Sequence, residues 1–162
     1  MSKELQQRLK RCSPSLRQPI QIVISIQPQY ANHIASGSKT VEFRRRFPSD
    51  THINGTKIWI YSTAPVKAVI ALARVEGVER LSLTKLWKMY GKRGGVDRHT
   101  FNTYFSGVSY GCAISLVKIK RLKNVIDAKH LGAWGFTVPQ SYRYVTDDIA
   151  ALFQNFLCET TD

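Results

Sequence analysis

The segment from Gly37 to Phe47, which reads GSKTVEFRRRF, constrains the fold more than any other part of the chain. Val41 and Phe43 alternate with charged residues, and this is the two-residue period of a half-buried β-strand. The two faces are then Val41, Phe43 and Arg45 on one side and Thr40, Glu42, Arg44 and Arg46 on the other. If Val41 and Phe43 face the core, the opposite face presents a carboxylate beside two guanidinium groups. Isolated charged strands are usually solvated, so the neighbouring elements decide what this one does.

The residues before this segment predict a strand, a short helix and a glycine turn. Residues 20–26, IQIVISI, form a nearly continuous β-branched run typical of a buried strand. Pro28 suits the first turn of a helix, and Gly37 stands where a helix C-terminal glycine is expected. Lys39 should therefore emerge beside the end of this helix. Strict alternation would place Lys39 opposite Glu42 and Arg44, so the three converge only if Lys39 still belongs to the turn.

The rest of the chain alternates short strands with helices. Strands are predicted at 57–65, 66–78, 109–122 and 136–145, and helices are predicted to begin at Ser82, Asp97 and Thr146, with a short turn near 128–131. In the helix after Asp97, we expect Phe101, Tyr104 and Phe105 to form the core side. This pattern predicts an α+β fold, a small mixed β-barrel with flanking helices. The predicted organisation is a basic N-terminal arm or short helix (1–19), the barrel domain (20–145), and an amphipathic C-terminal helix packing on it (146–162).

The charge balance predicts a polyanionic partner. Lys and Arg number 24 against 11 Asp and Glu, which gives a net charge of +13, and nucleic acid is the commonest partner of so basic a small chain. No apolar stretch is long enough to span a membrane, and the N-terminus lacks the apolar region of a secretory signal. The three cysteines and four histidines are scattered. We therefore expect a cytoplasmic protein without a metal or other cofactor, and a monomer is favoured.

Four blocks of sequence together resemble the ASCH domain family of the PUA-like superfamily. They are SIQPQYANHIASGSKTVEFRRRF, IWIYSTAPVKAVIALARVEGV, TYFSGVSYGCAISL and VPQSYRYV, and the subgroup most similar to them is described as PUA-like transcriptional regulators. The family motif, glycine-x-lysine-x-x-glutamate-x-arginine, corresponds to Gly37, Lys39, Glu42 and Arg44. The resemblance implies a barrel with a cleft beside the first helix, and RNA binding as its role.

The expected cleft residues follow from the motif and from the strand ends. Lys39 and Arg44 suit a phosphate or a base carbonyl, and Glu42 would orient them or accept from a base amino group. The competing interpretation of these three residues is a structural ion pair in the cleft wall. Further candidates are Arg45 and Arg46, Tyr61, Ser62 and Thr63 after a strand, and Gln140, Ser141 and Tyr142 near the end of the sheet.

Three functions remain open, of which a nucleic-acid-binding module preferring RNA is favoured. The second is a metal-independent hydrolase, in which Lys39 or Arg44 stabilises a pentacoordinate phosphate and Glu42 acts as base. Among hydrolases, a ribonuclease is favoured over the amidohydrolase of acetylated cytidine that the superfamily also includes, because Glu42 replaces the threonine of that branch and Thr40 lies two positions away. The third is a transcriptional regulator contacting DNA through the N-terminal arm.

Overall fold

The structure, a computed structural model, describes residues 20–159. Its strands are β1 Gln21–Ile26, β2 Val41–Arg44, β3 Lys57–Ser62, β4 Ala68–Ser82, β5 Tyr110–Asp127 and β6 Tyr142–Tyr144. Its helices are α1 Pro28–Ala35, α2 Leu83–Tyr90, α3 Arg98–Tyr104, α4 Ala128–Ala133 and α5 Asp147–Glu159, with a 3-10 turn at Thr51–Ile53. The basic N-terminal arm expected at residues 1–19 lies outside the described residues.

The six strands form one mixed sheet in the order β2-β5-β4-β3-β1-β6. β1 runs parallel to β3, and the other neighbours are antiparallel. The two long strands β4 and β5 change register at three places along their shared edge. Because each irregularity bends its strand and increases its twist, the sheet curls into a half-barrel. The α+β small barrel with flanking helices expected from the sequence is confirmed.

The two faces of the half-barrel are both covered. The inner face carries Ile22, Ile24 and Ile60, which pack with Ala31 and Ile34 of α1 in the main hydrophobic cluster. The outer face carries Val23, Trp59 and Tyr61, which pack with Phe153 of α5, and the Trp59 and Phe153 rings are 5.0 Å apart. β1 is therefore buried at every position, which explains why four of its six residues are isoleucine or valine.

The orientation of β2 differs from the expectation that Val41 and Phe43 face the main core and that the charged face lies opposite to it. Val41 and Phe43 do face apolar neighbours, but these form a separate cluster beneath α2 and α3, which includes Leu86, Phe101 and Phe105. Glu42 pairs with Ile114 and Arg44 with Cys112, and both partners belong to the main cluster. Directly opposite residues share a face of the sheet. The charged face of β2 is therefore the inner face, at the edge of the main core.

The boundaries of most elements agree with the sequence pattern. α1 ends before Gly37, whose φ of 82° is left-handed, and Asp97 caps α3 by accepting from the Thr100 N–H at 2.7 Å. The pattern was wrong about three strands: β4 continues to Ser82, β5 continues to Asp127, and only residues 142–144 of the predicted 136–145 strand have strand structure. Pro139 has no N–H to donate to a strand ladder, which accounts for the late start of β6.

Candidate functional site: a cleft beside the first helix

Lys39 is the best-buried charged residue of the site, with 1% of its surface exposed. It lies before β2, where its N–H donates to the His33 carbonyl of α1 at 3.0 Å. Its ammonium donates to the main-chain oxygens of Val41, at 2.8 Å, and of Gly94. It also lies 3.2 Å from the Glu42 carboxylate. An ammonium has three donors, and these acceptors occupy all three.

Glu42 links this lysine to Arg44. One carboxylate oxygen faces the Lys39 ammonium, and the other accepts from Nε of Arg44 at 3.1 Å. The Arg44 guanidinium then donates to the Ser25 main-chain oxygen at 2.6 Å and to the Ser141 hydroxyl at 3.3 Å. Lys39, Glu42 and Arg44 therefore do converge, because Lys39 belongs to the turn before the pleat. We name this set the Lys39–Glu42–Arg44 network.

The network forms one wall of a cleft of about 540 Å³. The cleft opens where β1 ends and α1 begins, with β2 on one side and α3 on the other. Its remaining lining comes from Ser25, Ile26, Gln27, Tyr30, Phe43, Thr63, Val96, His99, Thr100, Phe101, Thr103, Tyr104, Phe105 and Gln140. The cleft therefore combines a buried ionic wall with an aromatic and hydroxyl-rich wall.

Matches to known proteins agree with the fold around this cleft. The ASCH domain model matches residues 24–142. The chain belongs to the ASCH domain family. A relative named ASCH domain-containing ribonuclease, from Zymomonas mobilis, is 36% identical over 125 residues, which are 76% of this chain and 82% of that protein. The large ribosomal subunit protein uL22 of Ureaplasma parvum is 24% identical over 126 residues, which are 76% of this chain and 39% of that protein.

Solved structures support the same assignment. The crystal structure of the ASCH protein from Zymomonas mobilis superposes with a TM-score of 0.78 at 32% identity, covering 83% of this chain and 94% of that one. The N-terminal domain of McrB from Staphylothermus marinus superposes with a TM-score of 0.51 at 13% identity, over 83% and 93% of the two chains. At that identity the second likeness concerns the fold alone.

The α3 wall of this ASCH domain was not predicted from the sequence. The helical spacing predicts Tyr104 on the core side with Phe101 and Phe105, yet Tyr104 is 40% exposed and lines the cleft. Arg45 reaches this wall by donating from Nε to the Tyr104 main-chain oxygen at 2.8 Å, and its guanidinium lies 5.7 Å from the Tyr104 ring centre. His99, Thr100 and Thr103 form a polar stripe on α3, a signal that was present in the sequence.

Of the candidate site residues at strand ends, some line the cleft, some lie beside it and others are buried away from it. Thr63 and Gln140 line the cleft, while Ser141 contacts Arg44 and Tyr142 packs on the Phe47 ring. Tyr61 packs in the outer-face cluster. Ser62 is fully buried, and its hydroxyl has no partner within residues 20–159. Arg46 is exposed. Ligand contacts by Tyr61, Ser62, Arg46 and the network itself stay predictions.

Burial sets the electrostatics of the cleft. Burial lowers the pKa of the Lys39 ammonium below its ordinary value, although the adjacent Glu42 carboxylate acts in the opposite direction. Burial also raises the pKa of the Tyr104 phenol, against the effect of Arg44. Tyr104 therefore stays a neutral hydroxyl at physiological pH.

Neither a metal cluster nor a membrane span is present in the described part of the chain. No group of three or more His, Cys, Asp and Glu side chains among residues 20–159 could hold a metal ion. In the same residues, no helix is long and apolar enough to cross a bilayer. The side chains that line the cleft supply a carboxylate, two cations, an imidazole, amides, hydroxyl groups and aromatic rings.

Proposed function

We propose that this ASCH domain binds single-stranded RNA by holding an unstacked nucleotide in the cleft. The observation that carries the proposal is that the aromatic rings of Tyr104 and Tyr30 line the same cleft as the Glu42 carboxylate. Sequence-selective RNA recognition uses bases that have left the stack, which then lie on aromatic side chains and hydrogen-bond through their edges. The net charge of +13 supplies the attraction for phosphates.

The size of the cleft suits a nucleotide. Small-molecule sites in proteins have volumes of roughly 300–1,000 Å³, and 540 Å³ lies within that range. The Glu42 carboxylate is 8% exposed and is held by Lys39 and Arg44 in one orientation. A fixed carboxylate accepts from the exocyclic amino group of a base, as glutamate does from cytosine. The expected ligand therefore carries an amino group on the base edge that enters the cleft.

The role of Lys39 and Arg44 in this proposal is to position Glu42. Each cation already donates to main-chain oxygens, so a phosphate would have to displace a protein acceptor to reach either one. A structural ion pair and a ligand site are thus compatible interpretations of these residues, because the ion pair orients the group that meets the base.

Steric blocking tests the proposal directly. Thr103 is exposed on α3 and lines the cleft, whereas its neighbour Asn102 is exposed but is not part of the lining. Thr103→Trp should fill the cleft and weaken binding of a labelled single-stranded RNA, measured by fluorescence anisotropy, while Asn102→Trp should not. Wild-type affinity should fall between 50 and 200 mM salt because bound phosphates release counterions. Equal affinity in both variants, or binding insensitive to salt, would contradict the proposal.

Cleavage of the bound RNA is the second candidate, favoured by the 36% identical relative named as a ribonuclease. In a metal-independent reaction the ribose 2′-oxygen attacks the adjacent phosphorus while the bond to the 5′-oxygen breaks. Glu42 would accept the 2′-hydroxyl proton, and the Lys39 ammonium, 3.2 Å from that carboxylate, would exchange a main-chain acceptor for the phosphorane and protonate the departing 5′-oxygen. The products are a 2′,3′-cyclic phosphate and a 5′-hydroxyl.

A labelled RNA incubated with the protein in EDTA tests this second candidate. The cyclic-phosphate product should form with wild type and disappear with Glu42→Gln and with Thr103→Trp. Cleavage that persists in Thr103→Trp identifies a contaminating nuclease, and the absence of cleavage by wild type leaves RNA binding as the function.

Deacetylation of a modified nucleoside and binding of DNA both gain less support than these two functions. Hydrolysis of acetylated cytidine would need a hydroxyl nucleophile near Lys39. Two hydroxyls adjoin Lys39 in sequence: Ser38 donates to the His33 main-chain oxygen at 3.1 Å, and Thr40 accepts from Nε of Arg93 at 3.1 Å, and neither is part of the cleft lining. DNA binding through an N-terminal arm concerns residues outside the described range, and comparing DNA affinity with and without residues 1–18 tests it.

A further inference from the structure

A second cavity adjoins the cleft on its α2 side. This groove, of about 640 Å³, lies between the C-terminal end of α2 and the start of α3, and it is lined by Trp87, Lys88, Gly91, Lys92, Gly95, Val96, Asp97 and Arg98. Val96 lines both cavities. We call the second cavity the Trp87 groove.

The wall between the two cavities is thin. An added Cβ on Gly95, which lines the groove, would lie 3.1 Å from Cβ of Lys39, which lines the cleft. Gly95 has a φ of 64°, a conformation that glycine adopts without steric cost. The Lys39 side chain therefore packs directly against the Gly95 backbone, and the two together form the wall between the cleft and the groove.

The charge of the groove suits a phosphodiester chain. Lys88, Lys92 and Arg98 line it against a single acidic side chain, Asp97. The Thr100 N–H, which donates to Asp97 at 2.7 Å, lowers the pKa of that carboxyl, so Asp97 keeps its charge and the three cations leave the groove positive. The Arg98 guanidinium lies 5.0 Å from the Trp87 ring centre, a stacking that restrains a long side chain in one place.

We propose that the Trp87 groove holds the phosphates and bases of the nucleotides adjacent to the one in the cleft. This inference rests on the proposed function and extends it from one nucleotide to a single-stranded track that passes from the cleft to the groove at Val96, which lines both. Lys88 and Lys92 contact phosphates, while Arg98 and Trp87 offer a planar surface on which a second base stacks. The footprint is therefore several nucleotides, and the groove contributes affinity without sequence selection.

A pair of double variants tests the track. Lys88→Gln with Lys92→Gln removes two exposed positive charges from the groove. Lys120→Gln with Lys123→Gln removes the same charge from exposed positions on the far half of β5, 8 and 11 residues along the strand from Cys112. Affinity for a labelled 12-nucleotide RNA is measured by anisotropy at several salt concentrations, and affinity for a dinucleotide by NMR titration.

The groove variant should bind the 12-nucleotide RNA about tenfold more weakly at low salt, with the slope of log affinity against log salt reduced by about 1.4 for two lost contacts. Its affinity for the dinucleotide should stay within twofold of wild type, and the β5 variant should resemble wild type with both ligands. If both double variants lose the same affinity for the 12-nucleotide RNA, the effect is general charge attraction and the track is refuted. The track is also refuted if the groove variant loses as much affinity for the dinucleotide as for the longer RNA. If wild type binds neither ligand, the proposed function itself fails.

Discussion

Arg44 joins β2 to β1 across the open side of the half-barrel, because Nη2 donates to the Ser25 main-chain oxygen at 2.6 Å. β2 and β1 are not neighbours in the sheet, since β5, β4 and β3 lie between them. A second donor of the same guanidinium reaches Ser141, just before β6. The arginine of the family motif therefore closes the seam at which the cleft opens.

Replacing this arginine by lysine should cost stability even though the charge is kept. A lysine ammonium lacks the planar fork that reaches Glu42, Ser25 and Ser141 together. Each lost hydrogen bond to a charged group contributes about 1.5–3 kcal/mol, and water and the new ammonium compensate in part. We expect Arg44→Lys to lower the free energy of unfolding by about 2 kcal/mol in urea denaturation. Arg46→Lys, on the exposed end of the same segment, should change the free energy of unfolding by less than about 0.5 kcal/mol. Equal losses in the two variants would contradict the role of Arg44 in joining β2 to β1.

Lys39→Met tests how the buried ammonium is held. Methionine fills a similar volume but leaves the Val41 and Gly94 carbonyls unpaired and Glu42 without one of its cations. Breaking a buried pair by removing one partner costs about 3–5 kcal/mol, and Arg44 still faces Glu42 in the variant. We therefore expect a loss near the lower end, about 3 kcal/mol at pH 7, by chemical denaturation.

The difference in unfolding free energy between wild type and Lys39→Met should depend on pH, and the direction of that dependence follows from the pKa of Lys39. Burial lowers the folded-state pKa of Lys39 below its ordinary value of 10.5. Between the two pKa values the unfolded chain binds more protons than the folded one, so the contribution of Lys39 to stability rises with pH in that window. The difference in unfolding free energy between wild type and Lys39→Met should grow as the pH approaches 10.5. Groups common to both proteins cancel in this difference, and a difference that shrinks with pH would refute the direction.

The sequence was sufficient for those features that local geometry decides. Gly37 at the end of an amphipathic helix determined where Lys39 leaves the turn, and alternation after it determined which side chains share a face of β2. The convergence of Lys39 with Glu42 and Arg44 required that Lys39 belong to the turn, and the hydrogen bond from its N–H to the His33 carbonyl meets that condition. Asp97 as a helix cap likewise depends only on residues within one turn.

Features that depend on distant contacts were missed. The alternation of residues predicts that Val41 and Phe43 face apolar neighbours. It does not predict that these neighbours belong to α2 and α3, because both faces of this sheet are covered by apolar clusters. Tyr104 has the spacing of a core residue, and only the position of β2 beside α3 exposes its ring in the cleft. The interaction of Arg44 with Ser25 and Ser141 joins segments 19 and 97 residues apart in sequence, which no local pattern indicates.

Gly94→Ala tests the packing of the loop that supplies an acceptor to Lys39. A Cβ at this position would overlap the Phe43 ring and lie 2.8 Å from its Cζ atom. Phe43 is packed between Phe101 and Phe105, so the ring has little space in which to move. We expect a loss of about 2 kcal/mol in the free energy of unfolding, in the range found for overpacked cores. Gly132→Ala, in α4 with no atom within 4 Å of the added Cβ, should instead stabilise by about 0.5 kcal/mol.

Tyr104 provides the most direct measure of stacking in the cleft. Removing an aromatic ring that stacks on a base costs about 1–3 kcal/mol of binding, so Tyr104→Ala should weaken single-stranded RNA binding by roughly tenfold, since about 1.4 kcal/mol is one factor of ten. Tyr104→Phe keeps the ring and should bind within about twofold of wild type. Tyr110 is also an exposed aromatic residue, 52% exposed against 40% for Tyr104, but it does not line the cleft. Tyr110→Ala should therefore leave the affinity unchanged, and a loss as large as that of Tyr104→Ala would show that the RNA lies elsewhere on the surface.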